Sequence, residues 1–190
     1  MKVRSFLHNR VVAALVALFA LMAPLSMPVW AADQDLDSLF ESLKTADEAA
    51  SRRIEREIIT EWSKSGSPAM DLLLQRGQDA MAAGDYQTAI EHFTALTDHA
   101  PDFAEGWNAR ATAYYMVGEF GPSIKDIART LTLNPRHFGA LSGLGMIFQE
   151  LGEPEKALEV YRAALAIHPH LGSVLEAVEA LEKETGGQDL

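Results

Sequence analysis

An all-α array of stacked helix pairs is the fold class this chain predicts, and three observations predict it. Prolines at 101, 135 and 169 and glycines at 84, 118 and 152 both step by 34 residues. Between these punctuation marks, apolar residues recur at three- and four-residue spacing, as one face of a helix requires. The chain is also long enough, at 190 residues and 48% hydrophobic, to build a real core. A fixed period of this size marks a repeat architecture, in which each unit buries its apolar face only by stacking on its neighbours.

The N-terminus reads as an address. Lys2, Arg4 and Arg10 precede an uncharged apolar run from Val11 to Ala23, followed by Pro24, Pro28 and the stretch Val29-Trp30-Ala31-Ala32. A basic start, a short apolar centre and small residues at the end are the pattern of a secretory signal peptide. A spanning helix needs about 20 consecutive apolar residues, and two prolines cut this run short. Residues 1–31 are therefore expected to be a signal peptide cleaved after Ala31, which makes the protein exported and periplasmic; retention as a membrane anchor is the alternative. The remaining chain carries 13 Lys and Arg against 27 Asp and Glu, a net charge of −14. Such a surface repels nucleic acid and anionic headgroups, so neither is an expected partner. The absence of cysteine excludes disulfides, thiol catalysis and cysteine-ligated zinc.

Residues 32–69 predict a helical hairpin. Leu36, Leu39, Phe40 and Leu43 share one face, and Ala50, Ile54, Ile58, Ile59 and Trp62 share another. Thr45 with Glu48 reads as a capping box between them, and Ser65-Gly66-Ser67-Pro68 ends the second helix. The hairpin is expected to be a degenerate first unit that caps the array, with a free-standing linker helix as the alternative. Three regular units follow, at 70–103, 104–137 and 138–171. In the first, a helix runs through Leu73, Leu74, Gly77, Ala80 and Met81 to Gly84, and Asp85 caps a second helix carrying Tyr86, Ala89, Ile90, Phe93 and Leu96. Pro101 then forces a break. The second unit repeats this with Trp107, Ala111 and Tyr114, then Phe120, Ile124, Ile127 and Leu131; the third uses Leu141, Leu144, Gly145 and Phe148, then Ala157, Leu158, Tyr161, Ala164 and Leu165.

Small and large residues have opposite jobs within a unit. Gly77, Ala111 and Gly145 on the first helices, and Ala89, Ser123 and Ala157 on the second, mark where backbones approach closely. Phe93, Ile127 and Tyr161 fill the space in register. Residues 172–185 predict a closing helix with Val174, Leu175, Val178 and Leu181 inward and Glu176, Glu179 and Glu182 outward. Residues 186–190 are expected to be a frayed tail.

These residues resemble the tetratricopeptide repeat family, whose 34-residue pattern places leucine or an aromatic, a leucine-glycine pair, tyrosine, alanine, an aromatic, alanine and proline in this order. The resemblance covers 70–171. Arg76 and Arg110 depart from it by replacing the leucine beside the small residue, and Ser123 by replacing an alanine. The resemblance implies a right-handed superhelix of antiparallel helix pairs: three regular repeats between a degenerate N-terminal hairpin and a C-terminal capping helix. It also implies a concave groove lined by the first helices that holds an extended peptide or a partner helix. Carried onto this chain, the groove is Leu74, Gln78 and Met81, then Asn108, Thr112 and Tyr115, then Ser142, Met146 and Gln149. Chaperone-binding members grasp a terminal carboxylate with a clamp of lysines, an arginine and asparagines. Here Leu74, Gly139 and Gly143 stand where basic residues are required and only Asn108 fits, so that clamp is not expected. Arg76 and Arg110, one step off the groove line, are expected to pair with acids of neighbouring helices.

Nothing in the chain spells out catalysis. There is no nucleophile elbow around a serine and no glycine-rich phosphate loop, and paired carboxylates on an acidic helical surface read as solvated charge. Histidines 92, 99, 137, 168 and 170 fall mostly at helix ends and inter-unit turns without the convergence a metal needs. The sequence thus predicts a non-catalytic scaffold or adaptor with no metal or cofactor and a protein partner. Self-assembly into a homo-oligomer is the alternative, with metal binding or an enzyme behind it.

Overall fold

The computed structural model describes residues 29–186, all of them helices and short turns. Residues 1–28 and 187–190 lie outside the described residues, and with them most of the expected signal peptide and all but the first residue of the expected tail. The chain divides into two compact units, 1–35 and 36–190. Of the first, only Val29 to Asp35 are described, as the opening turns of a helix; the second holds the remaining described residues.

Nine helices occur among the described residues: α1 (Val29–Thr45), α2 (Glu48–Trp62), α3 (Pro68–Ala82), α4 (Tyr86–His99), α5 (Ala104–Met116), α6 (Phe120–Leu133), α7 (Phe138–Glu150), α8 (Pro154–Ile167) and α9 (Gly172–Gly186). From α3 onward each helix packs on its successor, and α5 also touches α3 and α7. The first helices of the three units thus form one continuous layer, as the 34-residue period predicts. No described helix is long and apolar enough to cross a membrane.

Each unit turns in the same way. Gly84, Gly118 and Gly152 have φ of 76°, 78° and 70°, a left-handed conformation that costs a residue with a Cβ roughly 1–2 kcal/mol. At Gly118 the amide donates to the Tyr115 carbonyl (2.9 Å) and the next amide, of Glu119, reaches back to Tyr114 (2.9 Å), which satisfies two carbonyls the helix end leaves open. Asp85 caps α4 as expected, its carboxylate accepting from the Thr88 amide at 3.1 Å. Thr45 does not cap α2. It is the last residue of α1, and Asp47 accepts the Ala50 amide at 2.8 Å, because Asp47 is the residue left extended beside the first free amides.

The small-over-large rule also holds within each unit. A Cβ on Gly77 would overlap the ring of Phe93, and one on Gly145 the ring of Tyr161. Where the facing residue is the smaller Ile127, the chain can carry Ala111 instead, and both are buried in one cluster. Ser123 fits an alanine's place because its hydroxyl donates to the Ala111 carbonyl at 2.8 Å, so no buried donor is stranded. At the C-terminal end α9 buries Val174 and Leu181 against Leu158 and Tyr161 of α8. Leu175, expected on that inward face, is 42% exposed: it follows Val174 by one residue, about 100° round the helix.

The N-terminal hairpin packs elsewhere than at the edge of the first unit. Phe40 and Leu43 of α1 and Ile54 and Ile58 of α2 form one buried cluster with Phe138 of α7, flanked by Trp62, Ile167 and Leu171. The core around Leu74, Phe93 and Leu96 in the first unit includes none of these side chains. The expected cap is therefore a strap over the inter-unit turns on either side of the third unit. Of its large side chains, Trp62 finds rings to pack on there and Phe40 a guanidinium. Trp62 stacks on His137 with centroids 4.4 Å apart and lies 5.0 Å from the Phe138 ring. Arg136 sits over Phe40 at 4.3 Å and pairs with Asp37 at 2.7 Å.

Candidate functional site

The two arginines that depart from the repeat pattern differ in their surroundings. Arg110 is nearly buried on α5 and forms a bidentate pair with Asp126 of α6, Nε to Oδ2 at 2.7 Å and a second nitrogen to Oδ1 at 2.9 Å. Its remaining nitrogen donates to the hydroxyls of Thr97 (2.8 Å) and Thr94 (3.3 Å) on α4. The Asp126 carboxylate holds the guanidinium pKa above its usual value, against the opposing effect of burial. Trp107 lies under Arg110 at 4.9 Å and under Arg129 at 5.9 Å, and its indole N–H donates to the Pro101 carbonyl at 3.0 Å. This network joins three helices and belongs to the scaffold, as expected for Arg110. Arg76 is exposed.

On the first-helix layer, α5 and α7 enclose a cavity of about 190 Å³. Asn108, Thr112 and Tyr115 line it from α5, and Ser142 and Met146 from α7. Ala111, Ile127, Ala140 and Ile147 make its buried apolar floor. Five of the nine groove residues expected from sequence therefore surround one space. The other four do not. Leu74 is 3% exposed and packs in the first unit's core against Phe93 and Ala109, so it cannot meet a partner. Met81 is half-buried against the same core, and Gln78 is exposed away from the cavity lining. Gln149 accepts a hydrogen bond from the Tyr161 hydroxyl, which occupies its amide oxygen. Burial, with a smaller contribution from Tyr115, pushes that tyrosine to about 12, so its hydroxyl keeps its proton and donates.

Sequence reasoning overlooked Gly139 and Gly143 as lining residues, although it examined both positions for basic side chains. They are one helical turn apart on α7 and expose bare backbone to the cavity. The fold does not demand glycine at 143, where the nearest atom a Cβ would meet is Ile127 Cδ1 at 3.9 Å. The polar rim is held from below. Thr112 donates to the Asn108 carbonyl (3.0 Å) and Ser142 to the Phe138 carbonyl (2.8 Å). The Asn108 amide nitrogen lies 3.4 Å from both oxygens of Glu105, which engages the donor side of the amide and leaves its oxygen as the acceptor.

Glu105 in turn meets His137 Nε2 at 3.0 Å, while His137 Nδ1 accepts the Ala140 amide at 3.0 Å and caps α7. The ring therefore carries its proton on Nε2. His137 has a structural task, and the described residues contain no group of three or more potential metal ligands.

Comparison with known proteins places this geometry. Residues 74–121 and 138–171 match the tetratricopeptide repeat family. A TPR repeat-containing protein of Rhizobium etli is 36% identical over 157 residues, covering 81% of this chain and 76% of that protein. The small glutamine-rich tetratricopeptide repeat-containing protein 2 of Saccharomyces cerevisiae is 30% identical over 69% of this chain, which spans only 36% of that longer protein. Among solved structures, the first TPR of Spaghetti (RPAP3) bound to the HSP90 peptide SRMEEVD superposes with a TM-score of 0.59 at 22% identity, covering 62% of this chain and 93% of that one. With the period, the turn glycines and the helix pairs in agreement, this chain belongs to the tetratricopeptide repeat family.

Proposed function

We propose that the protein is a non-catalytic interaction module that binds a partner peptide or helix across α5 and α7, seating an apolar side chain in the cavity between them. The carrying observation is the cavity of about 190 Å³ with bare backbone at Gly139 and Gly143 on one wall. Each helical glycine costs roughly 1 kcal/mol relative to alanine, and at 143 packing does not require it. A partner's main chain can approach closest where the helix has no side chain. Tyr115 and Met146 supply adaptable apolar contact, and Asn108 a hydrogen bond to the partner backbone.

A related TPR domain was solved with the HSP90 peptide SRMEEVD, which supports a peptide as the class of partner. The mode differs in our reading: Leu74, Gly139 and Gly143 supply no cation for a terminal carboxylate, so recognition rests on an internal apolar side chain. The test is capture of partners from envelope extracts by the wild-type chain and by two variants, Asn108→Ala/Tyr115→Ala and Gly143→Leu. The first trims the rim and the second fills the cavity. Each is expected to weaken binding of the captured partner by about tenfold or more, a loss above roughly 1.4 kcal/mol. Unchanged binding by both variants would reject the cavity.

We place the protein in the cell envelope on the basic and apolar pattern of residues 1–31. Fractionation followed by N-terminal sequencing is expected to find Ala32 first. A second reading, end-to-end stacking of arrays, draws on Leu175, exposed on the terminal helix. Light scattering that returns a concentration-independent monomer would remove it.

A further inference from the structure

We propose that the strap formed by α1 and α2 is an acid-released latch, docked on the inter-unit turns at neutral pH and freed when His168 is protonated. The latch lies apart from the cavity and does not depend on what binds there.

His168 ends α8, immediately before Pro169, and its side chain is wholly buried. It lies where the strap meets the array: the Phe138 ring stands edge-on at 5.0 Å, and Ile167 beside it packs into the cluster of Ile54, Ile58 and Phe40. Its Nδ1 accepts the His170 amide at 3.2 Å, so in the neutral ring the proton sits on Nε2. That Nε2 is buried without a hydrogen-bond partner; Glu55 of α2 approaches it to 3.5 Å but does not close the bond. A second proton must therefore go to Nδ1, where it would confront a backbone N–H that already points there. The resulting charge would also lie in a site that holds no water-exposed surface.

Two ionisable groups act on this ring. Glu55, from α2, favours the charged form, and His170, from the same turn, opposes it; α7 contributes the uncharged Phe138 ring. Burial outweighs Glu55, and the ring's pKa lies below its usual value. A histidine whose pKa is depressed in the docked state stabilises that state above the free value of about 6.5 and withdraws the stabilisation as pH falls towards the docked value. Undocking α2 opens the ring to water, which relieves the burial that opposes the charge, so the strap leaves while the array, whose helix pairs pack independently of His168, stays folded. The other ionic tie of the strap, Asp37 to Arg136, is half-exposed and weak, so the apolar cluster around Phe138 is the main contact that a proton on His168 has to outweigh.

The chain lacks cysteine, so spin labels can be placed at will. With Arg56→Cys on α2 and Glu159→Cys on α8, both exposed, pulsed electron resonance on the full chain reads the distance between strap and array at pH 7.5 and 5.0. A single distance is expected at pH 7.5. Below about pH 6.5 a longer one should grow, its ratio to the first rising by up to about tenfold per pH unit, with helicity by circular dichroism unchanged. His168→Gln should abolish the response. Should that variant fail to dock at pH 7.5, Glu55→Gln in the His168 chain is the independent check: removing the acidic group that favours the charge should move release to higher pH. An unchanged distance with helices intact, a shorter distance at pH 5.0 from Glu55 closing on the imidazolium, or the same release in His168→Gln would each overturn the latch.

Discussion

Asp126→Ala is expected to destabilise the array by about 3–5 kcal/mol, read as a lower urea midpoint by circular dichroism. The reason is what the variant leaves behind. Arg110 and Asp126 have side chains only 13% and 7% exposed, so removing the carboxylate strands a guanidinium with two threonine hydroxyls as its remaining neutral acceptors. Breaking such a pair costs far more than the pair contributes, because the desolvated charge has no way back to water. The double variant Arg110→Leu/Asp126→Leu is the sharper comparison. It restores the leucine that the repeat pattern places beside the small residue, and Thr97 keeps its own bond to the Thr94 carbonyl at 3.1 Å. It should recover most of the loss and can exceed the wild type. A double variant as unstable as Asp126→Ala would show that the network, and not the uncompensated charge, carries the stability.

Two glycines on one helix should respond to alanine with opposite sign. At Gly145 the added methyl overlaps the Tyr161 ring, which is 1% exposed and tied through its hydroxyl to Gln149. Overpacking of this kind costs about 1–3 kcal/mol and can exceed the roughly 1 kcal/mol of helix propensity that alanine brings. At Gly143 the methyl meets only Ile127 Cδ1 at an ordinary 3.9 Å, so the propensity gain should appear almost undiminished, at about 1 kcal/mol. Urea unfolding of the two single variants measures this difference. Destabilisation by Gly143→Ala would mean that glycine there serves the fold, and the cavity reading would lose its main support.

The fold was legible because its signals are local. A glycine at the αL position, a proline that ends a helix and a small residue facing a large one each act within one unit, and the unit is written three times. The cavity was half legible. Asn108, Thr112, Tyr115, Ser142 and Met146 follow from helical spacing once the layer is known. Leu74 sits at the same repeat position as Asn108 but is buried, because in the first unit an apolar side chain there joins the core that α5 closes with Ala109 and Ala113. Gly139 and Gly143 were seen only as missing cations, since a cavity wall made of backbone has no side chain to notice.

From the sequence alone came the repeat period, the helix pairs, the turn glycines and the pairing of Arg110 with an acidic neighbour. The tertiary structure alone decided where the strap docks and how His137 and His168 are used. The physical reason is range. Phe40, Trp62 and Glu55 meet Phe138, His137 and His168 across 75 or more residues of chain, and no spacing rule reaches that far. An apolar helix face states that it must be covered; which surface covers it depends on where the rest of the chain has already placed its rings.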